Sequence, residues 1–497
     1  MAAEHEYGTV ISTIDSPTTR KFSFVIAKSA KVRRGQFVQI GTEDGSMIGR
    51  VADIRKTNRY FLNPESVNNV ELSKPMHEAY PTWEWEYLVA DAIPLGVHDG
   101  EGFSESLFPP SPGDKVVEPE AGIVEKFFGI DPRGIEIGSI RHHDIKVKLN
   151  MDRLLQKHLA ILAISGAGKS YLAGAIIEEL LDRQPDSSMA VIVLDTHGEY
   201  TAFADDPKYA AKVKTFASHE IQIGTPNLSQ YEIGEFAQLT TPQIRELARA
   251  MKGMGRNYGM AELMARIEND KHMNVKTKDT LLSALDELHR LGIFGVSDYP
   301  TLDDMAQLGR LAVIDLSETI GIKKKQILVA YLARKLFESR RNGVIPPFLL
   351  LVEEAHQFVP EKTRQERALS RGILQTIARE GRKFHACLCL VSQRPVHLST
   401  TILSQCNSNI ILRVTNPYDL QHIGQSSEGI SKDVLDQIAG LQVGSALVVG
   451  EAVNFPLFVR VRKRKGSMSK KGMPLEQAAK EYFEKVKKKA KDAKSFM

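Results

Sequence analysis

At 497 residues the chain exceeds what one ordinary hydrophobic core supports, so about three structural units are expected. With 42% hydrophobic and 25% charged residues, its composition is that of a folded globular protein and excludes a disordered chain. The net charge of +4 is uneven: thirteen Lys or Arg face four Asp or Glu between Val461 and Met497, and the rest of the chain is slightly acidic.

The N-terminal stretch lacks the basic start and apolar core of a secretory signal, and no run of about 18 apolar residues follows, so neither secretion nor a membrane span is expected. The cytoplasm is the expected compartment. Over residues 1–145, short β-rich runs at Phe22–Ala27, Gln36–Ile40 and Ser46–Val51 are separated by Gly, Pro, Asp and Asn turns, which predicts a small barrel-like β domain. His142 and His143 lack Cys or carboxylate partners at ligand spacing and read as an exposed pair rather than a metal site.

Beyond residue 146 the pattern changes to short apolar strands alternating with long helical stretches, the signature of an α/β unit with a mainly parallel sheet. Its strands are expected at Leu159–Ile164, Ala190–Asp195, Leu311–Leu316, Phe348–Glu353, Ala386–Val391, Asn409–Val414, Ser445–Val449 and Leu457–Val461. The core thus occupies 146–200 and 311–463. Within 201–310, Ile244, Leu247, Ala248 and Met251 recur at helical spacing, as do Leu281, Leu282, Leu285 and Leu288, which predicts a helical insertion. Residues 464–497 form a basic tail with a helix over Pro474–Lys494, either a solvated element or a nucleic-acid or subunit contact. Cys387, Cys389 and Cys406 form neither a disulfide framework nor a zinc pattern, and the first two alternate within an apolar strand.

Ala163-Ile-Ser-Gly-Ala-Gly-Lys-Ser170 matches G-x-x-x-x-G-K-[ST] except for alanine at its first position. A strand precedes it, and a helix with Leu172, Ile176 and Leu180 on one face follows. Gly166 and Gly168 let Ser165, Gly166, Ala167, Gly168 and Tyr171 wrap backbone N–H groups around phosphate oxygens at a helix N-terminus. Lys169 is positioned for the β- and γ-phosphates of ATP, and the hydroxyl of Ser170 for Mg²⁺. The strand Phe348–Val352 ends in Glu353 and Glu354, the form of a Walker B element, with Glu353 for the Mg²⁺ shell and Glu354 for the attacking water. Gln393 ends another apolar strand, where it can sense the γ-phosphate. Arg379 and Arg382, in Ala378-Arg-Glu-Gly-Arg-Lys383, are candidates for an arginine presented to a neighbouring subunit, although surface ion pairing is an alternative role. Asp195-Thr-His-Gly-Glu-Tyr200 follows a strand at the same expected edge, so His197 and Glu199 are candidates to face the nucleotide.

These motifs together, SGAGKS, DTHGEY, LLLVEEAH, REGRK, SQRP and Ser404-Gln-Cys-Asn407, resemble the HerA family of archaeal hexameric DNA translocases, relatives of the FtsK pumps, over nearly the whole chain. The resemblance implies a RecA-like core in a six-membered ring, ATP sites between subunits and duplex DNA in the channel. It also implies a NurA-type nuclease on the β domain, and DNA-end resection in break repair together with Mre11–Rad50. Ala163, and Glu353 where aspartate is common, depart from that pattern. A motor that is blind to sequence contacts phosphates, and Lys252, Arg256, Arg364, Arg367 and Arg371 are the candidates for this. Two readings compete: a ring ATPase powering DNA or protein export, as in VirB4-like motors, and a nucleotide-gated DNA clamp that recruits a nuclease. The lack of a membrane segment counts against the first, Glu354 against the second.

Overall fold

The computed structural model describes residues 5–12, 16–72, 74–361, 368–427, 430–466 and 475–495. One unit comprises Met1–Gly134, Gly138–Leu149 and Val453–Arg460; the other comprises Ile135–Ile137, Asn150–Ala452 and Val461–Met497.

In the first unit, β1 (Glu6–Ile11), β2 (Phe22–Ile26), β3 (Phe37–Thr42), β4 (Gly45–Asn58), β5 (Glu86–His98), β6 (Phe103–Ser104) and β7 (Lys115–Val117) are ordered β2-β1-β7-β3-β4-β5-β6. Antiparallel pairing of β2 back onto β5 closes six of them into a barrel, which leaves those strands no free edge. Phe22, Phe24, Val38, Ile40, Met47, Val97 and Val116 fill the interior. The unit is not purely β: helices Pro64–Glu71 and Met76–Ala79 interrupt the β4–β5 connection, and helix Ala121–Phe128 follows β7. Next in the chain come β8 (Ile135–Ile140) and β9 (Lys146–Leu149). His143 is not the exposed residue expected. It is 9% exposed, its Nε2 accepts the Phe37 N–H at 3.1 Å, and burial lowers its pKa to about 4. It is a satisfied core histidine.

The second unit is built on β10 (Leu159–Leu162), β11 (Ala190–Asp195), β12 (Val213–Ala217), β15 (Leu311–Asp315), β16 (Phe348–Val352), β17 (Ala386–Ser392), β18 (Ser408–Ile411) and β19 (Ser445–Gly450). Their order is β12-β15-β11-β16-β17-β10-β18-β19, parallel from β12 to β18 and antiparallel at β19. Helices cover the sheet, which is why β11 and β16 read as unbroken apolar runs rather than as alternating patterns. Cys387 and Cys389 sit in β17 and are buried, as is Cys406. The stretch 201–310 carries the expected helices, Thr241–Met251 and Val275–His289 among them, burying Leu247, Leu281, Leu285 and Leu288. It also contributes β12, an edge strand of the main sheet, and a small parallel pair, β13 (Ile223–Gly224) with β14 (Phe294–Gly295). After β20 (Leu457–Val461) comes a basic helix, Leu475–Ser495. Among the described residues, no helix is long and apolar enough to cross a membrane.

Register decides what meets. Leu162 pairs with Ser392, Leu194 with Val352, and Val352 with Leu390, so the C-terminal ends of β10, β17, β11 and β16 reach one edge. The residues that follow those strands gather there.

Candidate active site

The loop after β10 stays tied to the sheet: Ala163 N–H donates to the Ser392 carbonyl at 3.2 Å and Ile164 N–H to that of Arg413 at 3.0 Å. Within the loop only Gly166 (φ +75°) and Gly168 (φ +101°) need the left-handed region. Alanine at 163 therefore carries no conformational penalty. Helix Lys169–Leu181 starts directly after Gly168 and aims its N-terminus at the loop. Lys169 is 9% exposed, and its Nζ rests 3.3 Å from the Ile164 carbonyl. Burial lowers the Lys169 pKa, while the charges of Glu354, Glu199 and Glu353 oppose that shift.

Glu353 and Glu354, at the end of β16, are 2% and 3% exposed and have different environments. Glu353 Oε2 accepts Thr196 N–H (2.9 Å), Thr196 Oγ–H (3.1 Å) and His197 N–H (3.1 Å). Asp195 lies beside it. Burial and then the Glu353 charge raise the Asp195 pKa to about 7, whereas Glu353 is lowered because hydrogen bonds from His197, Asp195 and Thr196 outweigh its own burial. Glu354 has a left-handed backbone (φ +50°, ψ +44°), a strain of order 1 kcal/mol for a non-glycine residue. That twist turns its carboxylate toward Lys169. Burial and the neighbouring Glu353 raise its pKa, while Lys169, His197 and a hydrogen bond from Gln393 work the other way. Its buried Oε2 accepts no hydrogen bond among the described residues. His356 Nδ1 lies 3.3 Å from that oxygen, but burial lowers this imidazole's pKa to about 4 and keeps it neutral. A buried carboxylate oxygen with no donor is suited to orient a water.

The loop after β11 is held by Asp195. Its Oδ1 accepts the N–H groups of His197 (3.2 Å), Gly198 (2.7 Å) and Glu199 (3.1 Å), and its Oδ2 that of Tyr200 (2.8 Å). One cavity of about 630 Å³ collects Ser165, Gly166, Gly168, Lys169, Ser170, Tyr171, His197, Glu199, Glu353, Glu354 and Gln393 from four separate segments. Ala167 is buried behind the loop.

The remaining candidates lie elsewhere. Arg379 and Arg382 are exposed on the last turns of helix Arg371–Phe384, which leads into the start of β17, the sheet edge opposite the cavity. Arg382 lies in the field of Glu451, which pairs with Lys157 immediately before β10. The seven residues of β17 separate the two edges by about 20 Å. Lys252 and Arg256 are exposed in the segment after helix Thr241–Met251, and Arg371 is partly exposed at the start of its helix. Arg364 and Arg367 lie outside the described residues.

Two residues of this site escaped sequence reading. Asp195 was visible only as the head of a loop, and its four backbone acceptor contacts follow from the fold. Arg464 also lines the cavity. In the sequence it is one cation of a basic tail, and nothing local marks it.

A phosphate-binding loop, an acidic strand end and a buried carboxylate on one edge of a mainly parallel sheet define an ATP-hydrolysing P-loop enzyme with a RecA-like core. Residues 135–336 match the family model described as "Helicase HerA, central domain". The DNA double-strand break repair helicase HerA of Pyrococcus furiosus is 28% identical over 91% of this chain and 91% of its own length. Its namesake from Sulfurisphaera tokodaii is 28% identical over 92% and 93%. Over residues 135–336 and in these relatives, this chain is similar to the HerA family. In fold it is similar to VirB4 of Thermoanaerobacter pseudethanolicus, with a TM-score of 0.52 and 15% identity over 67% of this chain and 98% of that one.

Proposed function

We propose that this protein is an ATP-driven translocase and helicase on double-stranded DNA that acts in double-strand break repair. In this reading six copies form a ring around the duplex, and a NurA-type nuclease, with Mre11–Rad50, resects the ends. The relatives' function, double-strand break repair by a helicase, supports the DNA substrate. The observation that carries the ring is the separation of the two halves of the site. Lys169, Glu353 and Glu354 share a cavity, whereas Arg379 and Arg382 are exposed about 20 Å away at the opposite sheet edge. In a head-to-tail ring that edge of one copy faces the cavity of the next.

The chemistry divides among the chain's own residues. Loop amides and Lys169 hold the β- and γ-phosphates, and Glu354 Oε2 aligns a water for in-line attack and takes its proton. Gln393, hydrogen-bonded to Glu354, couples that carboxylate to the γ-phosphate. The Ser170 hydroxyl and the Glu353 carboxylate are hard oxygen ligands that fit Mg²⁺. When bound, Mg²⁺ would neutralise charge on the phosphates. A neighbour's Arg379 or Arg382 would offset the charge that develops in the transition state, an effect worth about 10³ to 10⁵ in rate. Lys252, Arg256, Arg364, Arg367 and Arg371 are the proposed contacts to DNA phosphates.

The test is ATP hydrolysis with and without linear duplex DNA, on the wild type and on Glu354→Gln. Wild-type turnover should rise with DNA. The variant should bind ATP and lose about 10² to 10⁴ in rate. Turnover indifferent to DNA would sink the translocase reading, and a fast Glu354→Gln enzyme the role of Glu354.

A further inference from the structure

The segment Arg462–Gly466 is strapped to the helix that opens with Lys169. Glu178, fully buried two turns into that helix, accepts from Arg462 Nη1 (2.9 Å), Arg464 Nε (2.9 Å), Lys465 N–H (2.9 Å) and Gly466 N–H (3.0 Å). Arg462 also reaches Glu179 (3.1 Å), and Lys465 reaches Asp182 (3.0 Å). Tyr171, the residue after Ser170, holds the same strap: its Oη accepts the Arg464 N–H at 2.8 Å. The Arg464 guanidinium is consequently held rigid. One face lies 4.5 Å from the centre of the Phe203 ring and the other packs on Gly174, where an added Cβ would come within 2.7 Å of Cζ.

So many fixed contacts exceed what a surface arginine needs. The side chain is only 7% exposed and lines the nucleotide cavity, and its Nη2, itself buried, has no hydrogen-bond partner among the described residues. An unpaired guanidinium donor that is buried costs free energy unless a ligand meets it. Position says which part of the ligand. Arg464 lines the cavity next to Tyr171, whose hydroxyl accepts its N–H, and Tyr171 directly follows Ser170, whereas Glu353, Glu354 and Gln393 line it from other strand ends. With the γ-phosphate at Glu354, the nucleoside extends toward Tyr171 and Arg464.

We propose that Arg464, pre-positioned by Glu178 and Phe203, binds the nucleoside end of the nucleotide and donates from its guanidinium to an acceptor on the ribose or base. The inference rests on the cavity being the ATP site, as proposed above. A charge-assisted hydrogen bond of this kind corresponds to about tenfold or more in affinity.

The test compares equilibrium binding of ATP with that of inorganic tripolyphosphate, which has the phosphates and no nucleoside. Arg464→Ala should weaken ATP about tenfold and leave tripolyphosphate within about twofold of wild type. Arg464→Lys keeps the charge facing Glu178, loses the guanidinium donor, and should show the same selective loss; it carries the test if the alanine variant does not fold. ATP affinity unchanged in Arg464→Lys would overturn the proposal, as would an equal loss for both ligands, which is the signature of a strap that merely braces the helix. Failure of the site assignment looks different: Lys169→Ala would then bind tripolyphosphate as tightly as wild type, and both readings would fall.

Discussion

Replacing Asp195 by alanine tests whether the loop after β11 is scaffolded as the geometry demands. Four backbone N–H groups lose their acceptor. Those of His197 and Glu199 belong to residues that border the cavity, where water can replace the carboxylate; Gly198 and Tyr200 are buried. Two stranded buried donors at about 1 to 3 kcal/mol each give about 4 kcal/mol. Removing the carboxyl group crowded against Glu353 returns part of this, leaving about 3 kcal/mol. For a unit of this size, with roughly 2 °C per kcal/mol, Tm should drop by about 6 °C. Asp195→Asn keeps one acceptor oxygen and should lose about half as much. Calorimetry on both variants, alongside ATP binding, provides the measurement. Full loss of turnover with Tm within about 1 °C of wild type would refute the scaffold argument and make Asp195 a chemical participant instead.

Subunit mixing tests the split site. If copies assemble as proposed, Arg379→Ala or Arg382→Ala copies alone should turn over slowly, and mixing the responsible variant with Lys169→Ala copies should restore activity, because some interfaces then pair an intact loop with an intact arginine. Absence of rescue for both arginines would place neither in trans. A pH dependence follows from His158, which is 2% exposed, with Nδ1 accepting the Leu388 N–H and Nε2 donating to the Ala378 carbonyl, each at 3.0 Å. Burial lowers its pKa to about 4. Above about pH 6.5 it is neutral in both states and contributes no slope. As pH falls from about 6.5 to 4 the unfolded chain takes up a proton that the native state refuses, so stability falls by up to about 3 kcal/mol. Urea denaturation of His158→Gln should show lower stability at pH 7 but a shallower loss toward pH 4; parallel curves would contradict this.

Much of the molecule was legible from local sequence. The apolar runs ending at Leu162, Asp195, Val352 and Ser392 announce buried parallel strands because both faces must be apolar, and the glycines of the phosphate loop announce a backbone that only glycine adopts freely. Those signals lie within about ten residues of what they describe. β12 was not legible, since its sequence Val-Lys-Thr-Phe-Ala is that of a half-exposed edge strand inside a helical stretch. Nor was the burial of His143, which depends on an N–H from Phe37 more than a hundred positions away.

The site divides in the same way. Sequence alone singled out the residues proposed to do the chemistry: Lys169 and Ser170 on the loop, Glu353 and Glu354 at a strand end, Gln393 at another. Only the tertiary structure decided that Asp195 gathers four backbone N–H groups, that Glu354 turns inward on a left-handed backbone, and that Arg379 and Arg382 lie at the far edge of the sheet while Arg464 lies at the cavity. Strand order and register set these distances, and they arise from pairings between segments as distant in sequence as Leu162 and Ser392, which no local pattern encodes.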